Sequence, residues 1–243
     1  AQALGLTQFN LGTANADLPL RLASNDRTVT RFVAGLDGRF GLFNRDWRWN
    51  AYYQQGQSDS TEKAIDITNN ARLALATDAV FSPTTGAIVC RSTLTNPNNG
   101  CVPFNRMGIG VNTQAALDYV LGNPYRDQKI EQSVAAFAIN GEPFSTWAGP
   151  VSLAFGGEWR EEKVSGFVPT EFQSGWFVGN YLPNFGKYDV TEFFLETVVP
   201  LAEQLELNAA IRATDYSTSG GVETWKVGAT WSPIDDIRFR ATI

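Results

Sequence analysis

The chain has 243 residues, enough for one or two domains with a sizeable core. It contains no His, which removes Ser-His-Asp and Cys-His catalysis and any His-ligated metal site. Nineteen Lys and Arg against twenty-five Asp and Glu give a net charge of −6, a balance that argues against a nucleic-acid partner. No apolar run approaches the roughly 20 residues of a membrane-spanning helix, the longest being residues 134–139.

The chain opens in loop-like sequence at residues 13–17, and a first strand is expected over 28–36. A turn region at 37–46, rich in Gly, Asp and Asn, leads to a second strand over 47–54. There Trp47, Trp49, Ala51 and Tyr53 fall on one face and Arg48, Asn50, Tyr52 and Gln54 on the other. A long connection over 58–126 carries two helical stretches. One covers 68–80 through Ala71, Leu75 and Ala79, with Asn69 or Asn70 near its start. The other runs through Ala115, Leu117 and Leu121, with Asn112 as cap and Gly122 as stop. Between them Cys90 and Cys101 flank the turn-rich Asn96-Pro97-Asn98-Asn99-Gly100. The pair reads as a loop disulfide of an oxidising compartment rather than a metal site; two reduced thiols in a cytosolic loop are the other reading.

Further strands are expected over 129–139, 151–160, 188–199, 205–214, 224–231 and 237–243, the last running to Ile243. Short turns at 140–146, 200–204 and 232–236 alternate with long connections at 58–126 and 165–187, with one short exception at 217–221. Ordinary strands average about 5–6 residues, whereas a bilayer-crossing strand needs about 9–11. Short turns on one side and long loops on the other is the layout of an outer-membrane barrel. Trp47, Trp147, Trp159 and Trp231 at strand ends suit its interfacial girdle. The expected fold is therefore all-β: an antiparallel transmembrane β-barrel segment of about eight long strands, with short periplasmic turns and long extracellular loops. Residues 1–243 form part of one barrel domain, 58–126 and 165–187 being the extracellular loops. A strand that stops so abruptly suggests a piece of something longer.

In such a barrel the polar strand face points into the lumen. Arg48, Glu158, Arg160, Glu192, Glu196, Arg212, Lys226, Arg238 and Arg240 then line it, docking other parts and guiding solute, or simply staying solvated. In the second long loop Phe172, Trp176, Phe177, Tyr181 and Phe185 could stack on a planar chelate or a sugar, or pack the loop against itself. No catalytic residues emerge. Gly108-Ile109-Gly110 lacks the third glycine and preceding strand of a dinucleotide loop. Glu161 and Glu162 are consecutive strand residues that point to opposite faces, so they cannot flank one glycosidic bond. Asp235-Asp236 sits in an expected tight turn. No cofactor or metal is expected.

Taken in order, several runs resemble TonB-dependent outer-membrane receptors. They are Phe32-Val33-Ala34-Gly35-Leu36-Asp37-Gly38 followed by Trp47-Arg48-Trp49-Asn50-Ala51-Tyr52-Tyr53, then Gly149-Pro150-Val151-Ser152-Leu153 to Glu158-Trp159-Arg160. Tyr188-Asp189-Val190-Thr191-Glu192, Arg212-Ala213-Thr214-Asp215-Tyr216 and Thr224-Trp225-Lys226-Val227-Gly228 complete the set. The resemblance implies a barrel of roughly 22 strands with a plugged lumen, of which this chain carries about eight and no plug. It implies energy-coupled uptake of a scarce large solute, such as an iron–siderophore or an oligosaccharide, across the outer membrane of a Gram-negative bacterium. The implied partners are outer-membrane lipid, the small-molecule ligand, and a TonB energy-coupling complex reached through the plug. Two alternatives differ in what they predict. A passive porin-like or small outer-membrane barrel has no plug, and a secreted β-sandwich binding module packs Trp47, Trp49, Leu205, Leu207 and Ile211 into a protein core.

Overall fold

A computed structural model describes residues 12, 13 and 15–243. Its main feature is an eight-stranded antiparallel sheet in the order β1-β2-β7-β8-β9-β10-β11-β12. These strands are β1 (Leu22–Leu42), β2 (Arg45–Ile65), β7 (Tyr125–Thr146), β8 (Gly149–Phe167), β9 (Phe185–Ala202), β10 (Leu205–Tyr216), β11 (Gly220–Ile234) and β12 (Ile237–Thr242). Each follows its predecessor in sequence, except that β3–β6 lie in the long connection between β2 and β7. Packing divides the described chain into two compact units. The sheet unit takes Arg27–Asp59, Gln128–Ser165 and Asn184–Ile243, and the loop unit takes the segment up to Asp26, Ser60–Asp127 and Gly166–Pro183.

The strands outrun the sequence expectation. β1 and β2 have 21 residues each and β7 has 22, about twice what a bilayer crossing needs. The turn expected at 37–46 shrinks to Phe43 and Asn44, both in the left-handed region with φ 56° and 54°. That is the two-residue hairpin geometry whose twist matches the flanking strands. Glycines that read as turn signals are strand residues making room for an aromatic on the neighbouring strand. A Cβ at Gly38 would lie 2.7 Å from the Trp49 indole nitrogen, and one at Gly141 would lie 2.6 Å from the Trp47 ring.

Strand register divides the sheet into two chemical faces. Phe155, Leu195, Ile211 and Trp225 are successive cross-strand partners, and so are Leu153, Thr197, Ala209 and Val227. Leu195, Ile211, Trp225 and Val227 are 45%, 49%, 64% and 44% exposed, so none is sealed between two stacked sheets. Large apolar groups kept facing outward from a long antiparallel sheet would be a liability in water, and they are what acyl chains require. Trp47 is a buried exception. It stacks on Phe40 at 6.3 Å and meets Phe155 edge-on at 6.5 Å, passing over the bare Gly141. No helix among the described residues is long and apolar enough to cross a membrane.

The loop unit is built from α1 (Asn70–Thr77), α2 (Gln114–Val120) and two small ladders. β3 (Ile67–Thr68) pairs with β6 (Leu121–Gly122), and β4 (Ala79–Phe81) pairs with β5 (Ile88–Cys90). The Asn69 side chain caps α1 by accepting from the Arg72 amide at 3.0 Å. For α2 the sequence reading is corrected, because Thr113 rather than Asn112 is the cap, accepting from the Ala116 amide. Asn112 is drawn away by Asn105 and Asp17. The helix also stops before Leu121 and Gly122, which join β6, and likewise Thr68 and Val80 fall in β3 and β4, outside α1. Ala76, Phe104, Ala116 and Val120 form one small core. Ala64, Ile67 and Trp176 form another, with Phe172 and Tyr181 packed against it. Cys90 and Cys101 are joined, with their sulfurs 2.08 Å apart.

Candidate functional site

The polar face of the sheet carries a continuous hydrogen-bonded rung across five strands. Arg31 on β1 donates to Gln54 on β2. Gln54 Nε2 donates to Gln132 Oε1 on β7 at 2.9 Å, and Gln132 Nε2 donates to Glu162 Oε1 on β8 at 3.1 Å. The Tyr188 hydroxyl on β9 donates to Glu162 Oε2 at 2.8 Å. Arg160 lies between Glu158 and Glu162, at 3.5 and 3.6 Å. One strand further, Glu192 pairs with Arg212 at 3.3 Å and accepts from Thr214 at 3.0 Å. Alternation puts all of these on the face opposite the Phe155–Trp225 row.

The expected lining residues therefore share one face, in three different settings. Glu158, Arg160, Glu192 and Arg212 are tied into ion pairs. Arg48 and Glu196 border a hollow of about 670 Å³ near the short turns, with Asn140, Glu142 and Ser152. Lys226 is exposed and pairs in register with Ala210, which in turn pairs with Glu196. Arg240 lies opposite Thr230, and Arg238 donates to Ser232 at 3.3 Å. Sequence reasoning named none of Arg31, Gln54, Gln132 and Tyr188 as lining residues, although it put Gln54 on the same face of β2 as Arg48.

The five loop aromatics separate by environment. Trp176 is 5% exposed, its indole donating to the Glu171 carbonyl at 2.7 Å. Phe172 meets Trp176 and Tyr125 edge-on at 5.6 and 5.5 Å. A Cβ at Gly122 would lie 2.3 Å from the Trp176 ring, so glycine is required beneath it. With Tyr181 these rings build the second small core of the loop unit, around Ala64 and Ile67. Phe177 is 56% exposed and carries the Arg21 guanidinium 3.7 Å above its ring, while Phe185 is 87% exposed at the start of β9.

Long antiparallel strands, one apolar and one polar face, and connections that alternate between short and long define the wall of a transmembrane β-barrel. The family model for TonB dependent receptor-like β-barrels matches residues 3–243, and the chain belongs to that family. No curated protein sequence matches it. Among solved structures, the RagAB peptide transporter matches with a TM-score of 0.40 at 12% identity, over 85% of this chain and 20% of that chain. The chain thus spans about a fifth of the length of that transporter chain.

Proposed function

We propose that this chain is the barrel portion of an outer-membrane TonB-dependent transporter, which takes up a scarce large solute such as an iron–siderophore with energy supplied from the inner membrane. Family membership supports transport, and the exposed apolar row of Leu195, Ile211 and Trp225 supports placement in lipid. In this reading the polar rung from Arg31 to Tyr188 faces the lumen. The connections at 58–126 and 165–187 lie outside the cell, and Phe177, beneath Arg21, and the open Phe185 are the more exposed loop aromatics that meet solute. The partners are lipid, a TonB complex acting through a plug domain, and the solute.

Uptake of a ⁵⁵Fe-labelled ferric siderophore by cells carrying the full-length receptor tests the proposal. Saturable uptake should vanish when the receptor is deleted and when the proton-motive force is dissipated. Uptake that survives de-energisation would instead indicate a passive pore.

A further inference from the structure

Within the loop unit, two stretches of chain 93–95 residues apart meet at a single carboxylate. Asp17 Oδ1 accepts from the Gly110 amide at 2.5 Å. Its Oδ2 accepts from the amides of Val111 and Asn112 at 3.1 and 3.0 Å, and from Asn112 Nδ2 at 2.8 Å. The neck of this loop is closed locally, since the Asn105 amide donates to Asn112 Oδ1 at 2.7 Å and Asn112 Nδ2 donates to the Asn105 carbonyl at 2.8 Å. Beyond the neck, Gly108 and Gly110 are left-handed, with φ 121° and 70°. Met107 and Ile109 are 60% and 81% exposed. Three consecutive backbone donors of an otherwise exposed tip thus share one acceptor, and removing it releases all three to water at once.

Asp17 belongs to a strap of residues 15–21 that makes two further contacts. Leu18 packs against the Ala76, Phe104, Ala116 and Val120 core, and Arg21 covers the Phe177 ring. The strap therefore ties the 105–112 loop and the exposed aromatic of the second long connection to one anchor.

We propose that Asp17 is a latch that holds the 105–112 loop in a solute-receiving shape, acting as a positioning residue and not as a solute contact. The proposal rests on the uptake reading above. A loop ordered before solute arrives spares the ordering cost at capture, so losing the latch weakens capture and leaves later steps alone.

Hydrogen exchange and ⁵⁵Fe–siderophore uptake, both on the full-length receptor, test this with Asp17→Ala, Asp17→Asn and Asp17→Glu. Amides of 107–112 should exchange at least tenfold faster in D17A and D17N, with β9 and β10 unchanged. The apparent KM for uptake should rise three- to tenfold at constant maximal rate, with partial recovery in D17E. If D17A also loosens the sheet, the isosteric D17N alone decides. Unchanged exchange at 107–112 overturns the latch. Faster exchange with an unmoved KM overturns its role in capture. A wild-type receptor that imports no ferric siderophore refutes the uptake reading instead, and the exchange result still judges the latch.

Discussion

At the residue scale, the close approaches in the sheet decide which side chains are possible. A methyl group at Gly156 would stand 2.3 Å from the Phe137 carbonyl oxygen and 2.7 Å from the Phe194 ring. A backbone oxygen cannot rotate away, so Gly156→Ala should destabilise the sheet by about 1–3 kcal/mol in a urea titration of the receptor in detergent. The Asp17 carboxyl is held below the usual carboxylate range, first by the Gly110 amide and then by the Asn112 side chain, against a smaller opposing effect of burial. A depressed carboxylate contributes stability above its unfolded pKa and loses it as the pH falls through its folded pKa. Protection of the Gly110, Val111 and Asn112 amides should accordingly persist as the pH is lowered to about 4 and collapse only below it. In D17N that acid-dependent step should be missing. None of this was legible in the sequence. Asp17 sits in a stretch that reads as featureless loop, and its partners lie 93–95 residues away.

At the element scale, period-two alternation revealed the strands and their two faces, because it is a property of each strand alone. Where strands end depends on neighbours. Gly38 and Gly141 resemble turn residues until the side chains beside them on the adjacent strand, Trp49 and Trp47, are in place. The same limit produced the Asn112 error, since a capping role is lost when a distant carboxylate competes for the side chain. The faces make a sharp prediction. Val227→Lys or Ala209→Arg, in the row beside Trp225 and Ile211, should cost about 2–4 kcal/mol near the bilayer midplane in a folding titration into lipid vesicles. Arg212→Leu removes a half-exposed ion pair on the opposite face and should cost under about 1 kcal/mol. Equal costs for both sets would refute the face assignment.

At the scale of the whole molecule, the two units should respond separately to damage. The Cys90–Cys101 bridge lies wholly within the loop unit, closing a separation of 11 residues. Replacing both cysteines by Ala should weaken that unit by about 3 kcal/mol or less. Hydrogen exchange should then quicken across 78–104 while the β8–β11 ladders keep their protection. Loss of protection in those ladders would show that the bridge supports the sheet as well. Composition and connection lengths announced a membrane barrel wall, but they did not show that the two long connections share one core.

That shared core has a practical meaning for engineering. Trp176 lies over Gly122, the Phe177 amide donates to the Thr68 carbonyl at 2.9 Å, and the Asn70 amide donates to the Gly175 carbonyl at 2.7 Å. Neither connection can be grafted alone onto a foreign barrel, because each would arrive without the other half of its interior. Epitope tags or swapped sequences belong instead in the β4–β5 bend, where the Ser82 amide donates to the Ala87 carbonyl at 2.8 Å and closes a hairpin within a single connection.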